Sequence, residues 1–250
     1  MDEHSISPFN ALPKVVVALA VVIFGLEAMF QAATAGLLGG AAGVGWRLDA
    51  IRDFAVFNEI AAYMWDNGVV LPDALLRLVS YPLIHTGLVH AGFVVVFILA
   101  IGKMVAEVFS SLAFVIIFWG AAIAGALGFV VLMDSPYPLV GGYPGVYGLI
   151  GAFTFLMWVD AGARGGNRYR AFGLIGMLLA IQLLFGVIEG QFGTVVADLS
   201  GFATGFVLSF VLVPGGWRRI LARLRSRSRR RSASRNSATR KAPTSWPARP

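Results

Sequence analysis

The chain has 250 residues, 58% of them hydrophobic and 13% charged, with no cysteine and a formal net charge of +7. A soluble domain carries about 25% charged residues, so a mean hydropathy of +0.77 indicates a protein that crosses a membrane several times, and the lack of cysteine excludes disulfides and thiolate metal sites. Twelve of the 20 basic residues lie between Arg218 and Arg249, after the last apolar run, which leaves the apolar part close to neutral.

Residues 1–14 are short and polar and end in Lys14. The apolar run over about 15–38 is long enough to span, since about 20 residues cross a bilayer. Glu27 is its polar exception and should face protein or water rather than lipid. Gly39 to Leu76 mixes five acids (Asp49, Asp53, Glu59, Asp66, Asp73) with Phe54, Phe57, Tyr63 and Trp65. This composition predicts short amphipathic helices lying in the membrane interface, where Trp and Tyr are favoured. A second span is expected at about 77–101, with His85 and His90 in it, and Lys103 and Glu107 mark the turn that follows. Further spans are expected at 109–132, 145–159, 171–188 (with Gln182) and 194–213 (with Asp198 near its start). The predicted fold class is therefore all-α, a bundle of six membrane-crossing helices within residues 15–213.

The basic residues set an expected orientation. With the N-terminus inside, Lys103, Arg164, Arg168, Arg170 and the basic tail all fall on the inner side. The five acids of the first loop, Asp134 and Glu189 fall outside, so both termini are expected to be cytoplasmic. Over 214–225, Trp217, Ile220, Leu221 and Leu224 recur at helical spacing between arginines. That pattern predicts a basic helix on an anionic leaflet, each charge contributing about 1 kcal/mol. Residues 226–250 are rich in Ser, Arg and Pro without apolar periodicity and are expected to be disordered. Beside a membrane exit, anionic lipid rather than nucleic acid is the expected partner of this tail.

The stretch Gly141-Gly142-Tyr143-Pro144-Gly145-Val146-Tyr147-Gly148-Leu149-Ile150-Gly151 stands out. Small residues at Gly145, Gly148 and Gly151 leave one helix face bare, so another helix can approach closely in lipid. Tyr147 places a hydroxyl near the helix start, where backbone donors are unpaired and a reacting oxygen could be held. Taken alone, these residues fit either a close-packed helix start with an aromatic anchor or a site. His85 and His90 are expected on different faces of one helix with no acid nearby. Neither a metal nor a cofactor is expected, because ligands must converge.

Three polar constellations then sit on three separate spans. They are His85-Thr86-Gly87-Leu88-Val89-His90 running on through Val94, Gly145-Val146-Tyr147-Gly148, and Ala197-Asp198-Leu199-Ser200-Gly201 followed by Gly205. With Gly45-Trp46-Arg47 in the first loop, their order, spacing and placement resemble the rhomboid family of intramembrane serine proteases over roughly Val15 to Val213. The resemblance implies a rhomboid-like bundle in a bacterial inner (plasma) membrane. It also implies positions for the chemistry: the family's Gly-x-Ser-Gly nucleophile falls on Tyr147. The histidine base of its Ala-His-x-x-Gly-x-x-x-Gly frame falls on Asp198. The oxyanion histidine and asparagine fall on His90 and Val94. His85, Trp46, Arg47, Gly145, Gly148, Gly201 and Gly205 match the frame around them.

Three of the four chemical positions are thus changed. A phenol has a reference pKa of about 10 and an aspartic acid about 3.9, so proton transfer from Tyr147 to Asp198 is uphill by about six units. Tyrosine is also bulkier than serine, and losing one oxyanion donor at Val94 typically costs about 2.7–4 kcal/mol. These deficits fall on one step, and the expectation is a catalytically dead site. Ser200 is the nearest substitute nucleophile but lacks a nameable base. Tyr147 or His90 is expected to pair with Asp198 as a structural link. Three readings follow: a pseudoprotease that binds transmembrane segments of client proteins, an active protease with a variant site, and a transporter or channel. The last is suggested only by Glu27, Gln182 and Asp198, without the internal repeat usual in transporters.

Overall fold

The computed structural model describes residues 12–189 and 193–214, the backbone alone over 182–189. The N-terminal segment before Leu12, the basic helix expected at 214–225 (apart from Pro214), the tail at 226–250 and the Gln182 side chain lie outside the described residues. The chain divides into two compact units, Met1–Ser209 and Phe210–Pro250, and the site lies within the first.

A long helix, α1 (Lys14–Thr34), is followed by four short ones: α2 (Gly40–Gly43), α3 (Trp46–Phe54), α4 (Asn58–Asn67) and α5 (Pro72–Ser80). After a 3-10 turn at Tyr81–Leu83 come α6 (Leu88–Val108), α7 (Ser111–Leu132) and α8 (Tyr143–Ala163). A second 3-10 turn at Arg168–Phe172 leads into α9 (Gly173–Glu189) and α10 (Gly193–Leu212). The architecture is all-α; among the described residues the one extended pairing is an antiparallel bridge from Val56 to Leu139. Among the described residues, five helices, α1, α6, α7, α8 and α10, are long and apolar enough to cross a membrane. The apolar α9 is shorter, at 17 residues.

Two boundaries differ from the sequence reading. The span expected from Arg77 is broken, because α5 is a separate helix and the 3-10 turn and Gly87 intervene before α6 begins at Leu88. At the other end, Lys103 and Glu107 lie inside α6 rather than in a turn, 4.0 Å apart across one helical turn, an arrangement that supports a helix. The turn falls at Phe109-Ser110, where the Ser110 hydroxyl accepts the Ala113 N–H at 3.1 Å and caps α7. The first loop does fold as short helices.

Backbone contact holds the centre together. An added Cβ at Gly145 would come 2.6 Å from the Phe118 ring of α7, and one at Gly148 would overlap the Ala121 methyl. On α10, added carbons at Gly201 and Gly205 would overlap the carbonyls of Pro144 and Gly148. The bare face expected on α8 therefore admits two helices, α7 and α10. Tyr81, fully buried, donates its hydroxyl to the Ala122 carbonyl of α7 at 2.7 Å and packs with Val56, Phe129, Leu139 and Ala197. This contact ties the first loop and the segment before α8 to the bundle.

Glu27 is turned inward, as expected, and only 1% exposed. Arg47 of α3 donates to both of its carboxylate oxygens, at 2.7 and 2.9 Å, and to the His85 carbonyl at 2.8 Å. Gln31 donates to the same carboxylate at 2.8 Å. One guanidinium thereby joins α1, the first loop and the segment that leads into α6.

Removing one partner of a buried ion pair leaves an uncompensated charge. Arg47→Ala should therefore cost about 3–5 kcal/mol, while a Glu27→Leu/Arg47→Leu double variant should lose far less than the two single changes combined. Denaturation in detergent measures both; additive losses would show that the pair is not coupled.

Candidate functional site

The segment between α5 and α6 shapes the start of α8. The Gly141 N–H donates to the Tyr81 carbonyl at 3.1 Å, and the Gly142 N–H donates to His85 Nε2 at 3.3 Å. An imidazole that accepts at Nε2 keeps its proton on Nδ1, which lies 3.3 Å from the Leu83 carbonyl. Gly141 has φ +93°, and a Cβ there would stand 2.6 Å from the His90 ring, so conformation and space both require glycine. His85 lies in the loop outside the spanning helices; burial, then the neighbouring His90, holds its imidazole down to about 4.

The two histidines do not sit on different faces of one helix. Because α6 starts only at Leu88, His85 is free to fold back, and its ring meets His90 edge-on with centroids 5.1 Å apart. The other side of His90 stacks on Tyr143, 5.1 Å between centroids and 17° between planes.

Beside this cluster lies a cavity of about 740 Å³. Phe93 and Phe97 of α6 form one apolar wall, and Leu178 and Ile181 of α9 form another. Its polar lining consists of Thr86, His90, Tyr137, Tyr143, Tyr147, Thr194 and Asp198. Tyr147 is 5% and Asp198 2% exposed. They are the fifth residue of α8 and the sixth of α10, so at 1.5 Å per residue both lie roughly 6–8 Å inside their helix starts.

The residues singled out in the sequence thus divide in two. His90, Tyr147 and Asp198 converge on the cavity, with His85 directly behind His90. Val94 is fully buried and packs on Gly142, where an added Cβ would lie 2.9 Å from its Cγ1, so no polar group projects from that position. Gly145, Gly148, Gly201 and Gly205 serve helix packing. Arg47 acts one layer away, through the His85 carbonyl, and Trp46 is 37% exposed on the first loop. Ser200 points to Gly128 of α7 and does not line the cavity.

Sequence reasoning missed Thr86, Tyr143 and Thr194. The Thr86 hydroxyl lies 3.0 Å from His90 Nδ1, a hydroxyl and a base meeting at the cavity edge. The spacing of four between them was visible in the sequence. Its meaning depended on where α6 begins, because the contact spans the junction of loop and helix.

The neutral His85 imparts a pH dependence. Below about pH 6.5 a histidine in the unfolded chain takes up a proton that the folded site refuses until about pH 4. Stability should therefore fall as pH drops through that window. Melting in detergent at about pH 7 and about pH 5 should reveal this loss, and it should shrink in His85→Asn; an undiminished loss would assign the effect elsewhere.

Comparison with known proteins places these features in a family. A model of the rhomboid domain matches residues 72–215, from α5 to the end of α10 and more than half of the chain. The rhomboid-type protein YdcA of Bacillus subtilis (strain 168) is 27% identical over 137 residues, which cover 55% of this chain and 67% of YdcA. The rhomboid protease GluP of the same organism is 26% identical over 91 residues, 36% of this chain and 18% of GluP. The matched region contains the whole cavity lining except Ile51 of the first loop. The chain belongs to the rhomboid family, and is a multi-pass membrane protein built as a rhomboid-like helical bundle.

Proposed function

We propose that this rhomboid is a proteolytically inactive member that binds transmembrane segments of client proteins. The observation that carries the reading is the cavity lining. Tyr147 and Asp198 line it and Val94 is buried; on the motif resemblance read from the sequence, these three take the positions of the family's serine, histidine and asparagine. A phenol poised against a carboxylate has no favourable route to a nucleophilic oxygen, because the carboxylate is the far weaker base. The apolar walls from α6 and α9 suit a hydrophobic helix or an unwound part of one. In this reading the protein sits in a bacterial inner membrane with both termini cytoplasmic. The basic tail rests on anionic lipid, and neither cofactor nor metal takes part.

A second reading, hydrolysis at a variant site, is favoured by the Thr86–His90 contact. Against it, the Thr86 N–H also lies 3.5 Å from the same Nδ1, so the ring nitrogen serves a local contact of the kind Ser and Thr make where helices begin. Among the described residues, the contacts of His90 Nδ1 are with Thr86, not with a carboxylate that would orient the ring as a base.

A fluorophosphonate probe separates the two readings. Purified protein in detergent or liposomes should not label. Labelling abolished by Thr86→Ala would establish the second reading, and labelling abolished by Ser200→Ala would reverse the account of that residue. The proposed link between Tyr147 and Asp198 predicts non-additivity: Tyr147→Phe with Asp198→Leu should lose less stability than the single changes combined. Strictly additive melting shifts would dissolve the link.

A further inference from the structure

We propose that the loop joining α8 to α9 holds the headgroup of an anionic phospholipid, with the guanidiniums of Arg168 and Arg170 as its ligands. This site is independent of the client-binding reading and of the basic tail. It lies at the end of the bundle away from the cavity. Helix α8 begins beside the cavity at Tyr143, and its 21 residues carry it to Ala163, about 31 Å at 1.5 Å per residue. The hydrocarbon core of a bilayer is about 30 Å thick, so residues 164–170 fall at the depth of lipid phosphates.

Arg168 is held in place there. Its guanidinium lies 4.8 Å from the centre of the Trp158 ring, over its face. It occupies space that only a glycine leaves, because an added Cβ at Gly162 would overlap its Nε. With one face on the indole, the N–H donors around its edge are presented as a planar fork, the shape that grips a phosphate at two points. Among the described residues, ion pairs are formed by Arg47, Arg52, Lys103 and Arg164, not by Arg168 or Arg170. Asn167 accepts the Tyr169 N–H at 2.9 Å and starts the 3-10 turn that carries both arginines. Two groups oppose an anion here: the C-terminus of α8, worth about half a negative charge, and Asp160, which binds Arg164 at 3.0 Å. Three arginines outweigh both. Exposed Met157 offers apolar surface to an acyl chain, and exposed Tyr169 suits the headgroup level. A choline or ethanolamine cation would meet like charge at these arginines, so the occupant is a lipid of net negative headgroup, such as phosphatidylglycerol.

The test uses full-length protein in phosphatidylcholine vesicles. The chain has no native cysteine, so a single dye at Val159→Cys, a position 44% exposed near the end of α8, reports on the lipid beside it. A small, equal share of lipid with brominated chains is supplied as phosphatidylglycerol or as phosphatidylcholine, and bromine quenches the dye only at short range. Quenching should reveal about fivefold or greater local enrichment of phosphatidylglycerol. Arg168→Gln/Arg170→Gln should bring the two lipids to parity, while Arg229→Gln/Arg230→Gln/Arg231→Gln in the tail should keep the preference. Equal quenching by both lipids in the protein with native arginines would overturn the site. A preference that survives the loop changes or disappears with the tail changes would also overturn it, and would assign the lipid to the tail. If soluble glycerol phosphate abolishes the preference where chloride at the same ionic strength does not, the loop binds a free phosphate and the lipid assignment falls. Should the double variant not fold, Arg170→Gln alone leaves the Trp158 stack in place and should still lower the preference; an unchanged preference would overturn the site.

Discussion

The arrangement depends first on one guanidinium. Arg47 grips both oxygens of a glutamate buried in α1 and, with a third donor contact, the carbonyl of His85. From there the chain of contacts runs through the His85 ring to the Gly142 N–H and so to the first turn of α8. An ion pair so deep gains little net stability against an apolar substitute, because desolvation offsets most of the attraction. Its effect is geometric: it fixes where the first loop lies and how the His85 segment presents itself to α8.

In the proposed reading, the same frame that holds the cavity no longer holds a proton-transfer pair. Backbone-to-backbone packing of α8 on α7 and α10 is preserved by Gly148, Gly201 and Gly205, which place positions 147 and 198 at matching depth. What occupies those positions is a bulky phenol and a carboxylate, and the third position is an isopropyl group pressed on Gly142. Scaffold and chemistry are separable here because different residues specify them: glycines set the distance between helices, and side chains at two points set the reaction. In the proposed reading, function follows from the shape of a cavity with apolar walls.

Much of this was legible in the sequence, for identifiable reasons. Glu27 announced itself as an acid in an apolar run, and hydrocarbon leaves such a group little choice but to turn inward. The glycine spacing on α8 foretold close helix contact, since only the missing side chains allow it. Tyr147 and Asp198 stood out as polar groups in apolar spans, and both line the cavity. The errors arose where local pattern and tertiary contact diverge. An apolar run from Arg77 to Ile101 looks continuous, yet Pro82 and Gly87 break it, and the break lets His85 and Thr86 fold back toward His90. Arg47 was recognised as half of a motif, but its partners, 20 and 38 residues away, could not be read from spacing.

The central claim is that the rhomboid scaffold persists while its proton-transfer groups have been replaced, and restoring them tests it most directly. In a V94N/Y147S/D198H variant, confirmed as folded by its melting profile, the account predicts fluorophosphonate labelling at position 147 and cleavage of a rhomboid substrate, and it predicts neither for the wild-type protein. A folded variant that stays unlabelled and inactive would contradict the claim, as would a wild-type protein that cleaves the same substrate.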